Sequence, residues 1–164
     1  MSSYAETLRE FYDGEVLGEA LYADLLAAAA DERQQRIWGV LLQLETETKA
    51  WLRAPMTAAG VSLAQDAASR ARGEGYAKAM ARMAWAQQMQ TLQGAIDDQV
   101  LPRFTVLAQA ARERGRAQEE EVCRYMVAHE EAQAELARRE LAGEPLEAVL
   151  APVTAQLRFP LPAA

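Results

Sequence analysis

The chain is poor in the residues that most directly advertise chemistry. It has one cysteine, Cys123, and one histidine, His129. A lone cysteine excludes an intramolecular disulfide and any cysteine-rich metal site. A lone histidine excludes every site that needs two imidazoles from one chain, the 2-His-1-carboxylate facial triad included. β-Branched residues are few and scattered, so no stretch reads as a strand. No apolar run reaches the roughly 18 residues of a membrane-spanning helix, so no membrane partner is expected. Positive charge is scarce too: 17 Lys and Arg against 24 Asp and Glu leave a net charge of −7. That balance argues against nucleic acid as a partner. The N-terminal stretch MSSYAETLREFYDGE lacks the apolar core of a signal peptide, and a cytoplasmic protein is the expectation. There is no Gly-rich phosphate loop, no Ser-His-Asp candidate and no basic stripe, and no cofactor-binding residues other than metal ligands are expected.

What is present is helix-forming: alanine, leucine, glutamate, glutamine and arginine dominate. The length suits one domain, 1–164, with a substantial core. Ser3 and Glu6 form a capping box, and a first helix is expected over about 4–29. Gly14 and Gly18 fall inside it, one turn apart. They point either to close approach of a neighbouring helix or to tolerated surface glycines. Asp31 caps a second helix over about 32–58, which Pro55 is expected to kink or end early and Gly60 to close. Residues 57–75 are small and glycine-rich and read as a connection, with a short helix near 65–72. About 18 residues, partly extended, can cross the length of a helix, which would make helices 2 and 3 parallel. A third helix is expected over about 76–113, bent or broken at Pro102, with Gly115 as its stop. The fourth covers about 117–142, with Gly143 as its C-cap. A short helix over about 146–157 presents Leu146, Val149, Leu150, Val153 and Leu157 on one side. That side is expected to cover an end or flank of the bundle, and in a metal-free module it is a contact candidate for a partner or a second copy.

The seam of the first helix, at steps of four and three, reads Leu8, Tyr12, Glu15, Glu19, Tyr22, Leu26. Two glutamates stand where a plain bundle has leucines. A buried carboxylate is costly unless a cation, a donor or a metal pairs with it. Glu45 is the midpoint of the second helix and lies along its apolar stripe; Glu47 points elsewhere, toward solvent. His129 lies on the buried face of the fourth helix, near its midpoint. Midpoints of similar helices packed side by side share one level, so Glu15, Glu19, Glu45 and His129 can meet in one polar layer. Asp97 and Asp98 are the weaker candidates from the third helix.

These helix lengths, the long second connection and the mid-helix acids resemble the ferritin-like superfamily over about residues 4–142. The stretch YMVAHEEAQAELARRELAG looks like the fourth helix of small bacterial, rubrerythrin-like members. The resemblance implies an all-α, ferritin-like four-helix bundle with a long crossover between helices 2 and 3 and a short C-terminal helix. It also implies a metal site of carboxylates and Glu-x-x-His motifs. Glu15 or Glu19 matches the lone glutamate of helix 1, and Glu45 the glutamate of helix 2. His129 matches the histidine of helix 4. Thr48 replaces the other histidine and Met126 the other glutamate, so the dinuclear set is incomplete. Two classes of function remain open. One is a metal-binding protein using iron, manganese or zinc, extending to an iron-dependent oxidoreductase acting on an unnamed small molecule. The other is a metal-free bundle serving as an interaction, dimerisation or small-ligand module, its Glu–His layer purely structural.

Overall fold

Helix ends fall where local chemistry sets them. The computed structural model describes residues 3–159. These form seven α-helices and one π-helical segment, with no strand among the described residues. Helix α1 is Tyr4–Ala27, α2 is Glu32–Ala58 and α3 is Ala67–Met80. Then follow α4, Trp85–Ala95, the π segment Ile96–Val100, and α5, Leu101–Glu113. Helix α6 is Ala117–Leu141 and α7 is Leu146–Thr154. The Ser3–Glu6 capping box forms, and Asp31 accepts from the Gln34 amide at 2.9 Å. Gly60, Gly115 and Gly143, the expected stops, all adopt positive φ (68°, 66° and 73°), a conformation other residues reach only at a cost. No helix among the described residues is long and apolar enough to cross a membrane.

The chain divides into two compact units, Met1–Met83 with Leu157–Ala164, and Ala84–Gln156. In the first, α1 is the central helix, packed on both α2 and α3. The α1–α2 pair is antiparallel. Tyr22 stacks on Trp38 at 5.8 Å near the turn, and Thr46 donates to Glu19 at 2.8 Å further along. Leu8, Phe11, Val16 and Leu25 of α1 and Ile37, Leu41, Leu44 and Leu52 of α2 are fully buried. Each such side chain contributes about 1.5–3 kcal/mol.

The region between α2 and α4 corrects the expectation of a helix beginning near Tyr76. Asp66 accepts from the Ser69 amide and hydroxyl (2.7 and 2.8 Å) and opens α3 at Ala67. Those hydrogen bonds hold the Asp66 carboxyl below its usual range. Tyr76 is therefore the last-but-one turn of α3, and the helix of the Trp85 stripe starts only after a turn at 81–84. Arg9 donates to the carbonyls of Ser62 and Ala64, and Tyr12 to that of Leu63. Further on, Gly73 abuts Leu17 and Ala20. Helix α3 thus runs in the same direction as α1. Gly73 is no helix breaker here. A Cβ at that position would lie 3.1 Å from the Ala20 Cβ and collide with the Leu17 carbonyl oxygen.

The tail returns to this unit. Glu47 accepts from the backbone amides of Arg158 (2.6 Å) and Phe159 (3.3 Å), and Gln43 donates both to Glu47 and to the Phe159 carbonyl. Glu47 was expected to be solvated; it is instead the anchor of the C-terminal segment. Residues 160–164 lie outside the described residues.

In the second unit α6 is central, packed on α4, α5 and α7. The Trp85 indole donates to Glu140 at 2.8 Å, and Arg114 and Arg116 meet Glu119 at 3.3 Å beside the α5–α6 turn. Pro102 neither breaks nor ends its helix. The π segment precedes it, and the Leu101 amide reaches back five residues to the Ile96 carbonyl. A wider turn of this kind accommodates an imino acid that has no amide to give. Helix α7 spends its apolar side inside the unit: Val149, Leu150 and Val153 are buried, and Arg139 donates to the Ala148 carbonyl at 3.0 Å. That face is therefore not an open contact for a second copy.

Candidate metal centre

Antiparallel pairing of α1 and α2 brings position 15 opposite position 45. Glu15 is 1% exposed and Glu45 is 4% exposed. A carboxylate oxygen of one lies within 4.8 Å of a carboxylate oxygen of the other. Two ionised carboxylates at that separation repel by roughly 3–4 kcal/mol at an effective dielectric near 20. A buried pair so close calls for compensating positive charge or donors.

The Glu45 side chain approaches α1 at Gly18. A Cβ built on Gly18 would lie 2.6 Å from Glu45 Cδ and 3.1 Å from Cγ, and would strike Oε2. Of the two helical glycines, Gly18 is thus the close-approach position. Gly14 is exposed, with nothing within 4 Å of where its Cβ would be.

Glu19, expected beside Glu15 as a ligand, is engaged elsewhere. It accepts from the Thr46 hydroxyl and forms an ion pair with Lys49 of α2. Thr48, at the position where the resemblance places a histidine, is fully buried. Tyr12 gives its hydroxyl to the Leu63 carbonyl, not to a carboxylate.

In the second unit His129 is 1% exposed on α6. Its Nε2 lies 2.7 Å from the side-chain amide of Gln133, one turn on and also buried. The place of Gln133 four residues after the histidine on the buried face is the signal in the sequence for an orienting partner. Asp97 and Asp98 lie on the π segment. Asp97 is half-buried, accepts from Gln93 at 3.1 Å and faces Arg138 at 3.5 Å; Asp98 is exposed. Cys123 is buried, and burial, reinforced by the Glu119 charge and offset by Arg114, pushes its thiol up to about 11. It therefore stays a neutral thiol at ordinary pH and offers no thiolate ligand.

The paired carboxylate oxygens of Glu15 and Glu45 are donors of a kind that suits a divalent cation. Comparisons of the chain with protein-family models, with curated proteins and with solved structures found no match.

Proposed function

We propose that the chain is a metal-binding protein of the ferritin-like type, with the buried Glu15–Glu45 pair as carboxylate ligands of one divalent iron, manganese or zinc ion. In this reading α1, α2, the continuous helix 85–113 and α6 are the four long helices of the bundle. The link, α3 and the following turn form its long second connection. The observation that carries the proposal is the Glu15–Glu45 pair: two buried carboxylates from facing helices within 4.8 Å. His129 is the only imidazole in the chain and is itself buried on the central helix of its unit.

Within this reading the residues divide the work. Glu15 and Glu45 supply negative charge and hard oxygen donors. Gln133 lies 2.7 Å from Nε2 of His129 and helps to fix the orientation of the ring. Lys49 neutralises Glu19 and so keeps a third carboxylate out of the set. The apolar side chains of α1 and α2 keep water from the pair. A bound ion of this kind supplies a Lewis-acidic centre and, as iron, a redox centre for an oxidoreductase. Two carboxylates are too few for a dinuclear centre, so a single ion is proposed.

A second reading is favoured by the His129–Gln133 hydrogen bond, which satisfies one ring nitrogen within α6 itself. It makes the polar residues a structural device in a metal-free helical protein. Elemental analysis of protein purified without a metal-affinity tag separates the two. Near-stoichiometric iron, manganese or zinc, lost in Glu15→Ala and in Glu45→Ala, is the expected result. Wild-type protein that holds no metal after anaerobic loading with ferrous iron overturns the metal reading.

A further inference from the structure

We infer that Gly18 is the positioning residue for the Glu45 carboxylate: the side chain missing from α1 is the space in which Glu45 lies. The inference rests on the metal reading for its consequence in binding, and stands on geometry for the positioning itself. Glycine weakens a helix interior relative to alanine. The backbone at Gly18 does not demand glycine, because its φ is not among the positive values of the chain. Gly18 is buried mid-helix, and the volume its Cβ would fill is held by Glu45 Cγ, Cδ and Oε2. Glu45 comes from the other helix, so it lies flat across the α1 backbone rather than stopping short of it. In that pose its carboxylate comes within 4.8 Å of Glu15, which is one turn before Gly18 on α1.

A methyl group at position 18 leaves Glu45 two choices. It rotates its flexible side chain to another rotamer, which moves the carboxylate away from Glu15, or α1 and α2 separate. Either change disrupts the pair. Gly14 is the internal control: same helix, one turn away, no neighbour.

The test is a double-mutant cycle on the metal-free protein, followed by a metal titration. Urea midpoints are measured for wild type, Gly14→Ala, Gly18→Ala, Glu45→Ala and Gly18→Ala/Glu45→Ala. Gly14→Ala is expected to raise the midpoint. Gly18→Ala is expected to lower it when Glu45 is present and to raise it in the Glu45→Ala background. If Gly18→Ala alone does not fold, folding of the double variant supports the positioning role, and its failure to fold overturns it. The same midpoint shift in both backgrounds also overturns it. Zinc and cobalt titrations by calorimetry, with the visible cobalt spectrum as a second readout, then address binding. A loss of tenfold or more in Gly18→Ala and wild-type affinity in Gly14→Ala are expected. Wild-type affinity and an unaltered cobalt spectrum in Gly18→Ala overturn the link to metal. A wild type that binds neither ion sinks the metal reading while the sign reversal in urea still decides the positioning role.

Discussion

Lys49 reaches across from α2 to Glu19 on α1, although Glu45 sits four residues before it on its own helix. The pair is largely sheltered, with side-chain exposures of 13% and 20%, and Thr46 adds a hydrogen bond to the same carboxylate. Glu19 is therefore a strut between helices. Lys49→Ala should cost about 1–2 kcal/mol, more than an exposed pair contributes, because it strands a sheltered carboxylate. Glu19→Gln should leave metal content unchanged, unlike Glu45→Ala. Chemical denaturation and elemental analysis on the same two variants check both statements; loss of metal in Glu19→Gln would return Glu19 to the ligand set.

Gly73 and Gly75 are two residues apart on α3 and should respond oppositely to alanine. At Gly73 a methyl group meets the Leu17 carbonyl oxygen, which is backbone and cannot swing aside. Gly73→Ala should destabilise by about 1–3 kcal/mol as α3 is pushed off α1. Gly75 is exposed, with nothing within 4 Å, so Gly75→Ala should stabilise by about 0.5–1 kcal/mol. Equal effects at the two positions would mean that α3 does not press on α1 at Gly73.

The tail prediction concerns exchange, not overall stability. Glu47 takes the amides of Arg158 and Phe159, so these two hydrogens should be slow to exchange in wild type. In Glu47→Ala they should exchange at the rate of an unprotected chain, while amides of α2 and α6 keep their protection. Hydrogen exchange read by mass spectrometry over residues 155–160 is the check. Unchanged protection in the variant would show that Glu47 does not hold the tail.

Cys123 gives a pH dependence with a definite sign. Its thiol is raised from its ordinary value of 9.0 to about 11 in the folded protein, by burial first and Glu119 second. The folded state therefore holds the proton more tightly. That contribution is fully present below pH 9 and is lost as pH rises from 9 toward 11. Urea midpoints of wild type should fall through this window more steeply than those of Cys123→Ala. In native protein near pH 8 the thiol should react with a disulfide reagent only slowly, and rapidly once unfolded. Rapid reaction of the native protein would show that the thiol is not sheltered.

Features governed by a few neighbouring residues were plain from sequence. Ser3 and Asp31 cap the helices expected of them, and Gly60, Gly115 and Gly143 stop theirs, because a cap or a left-handed turn is decided within one turn of chain. Gly73 misled because a glycine inside a helix has its reason in another helix. Lys49 shows the same limit: it stands four residues after Glu45 on α2, and only cross-helix geometry assigns it to Glu19. Glu47 has its partners 111 and 112 residues away. For the candidate site, periodicity and mid-helix depth singled out Glu15, Glu45 and His129, all of which are buried. The same steps of three and four also admitted Glu19, since they locate a residue near a seam without saying which neighbour it will meet.

The π segment sets the phase of everything after it. Its widened turn holds an extra residue, so the angular position of each later side chain lags that of an unbroken α-helix. Counting in regular turns from buried Met89, Leu92 and Ile96 would carry Arg103 inward. The buried residue is Phe104, and Arg103 faces out. The segment acts as a clutch between α4 and α5, letting one slip a residue against the other. Its loss would turn the helix's charged side inward without altering a single side chain.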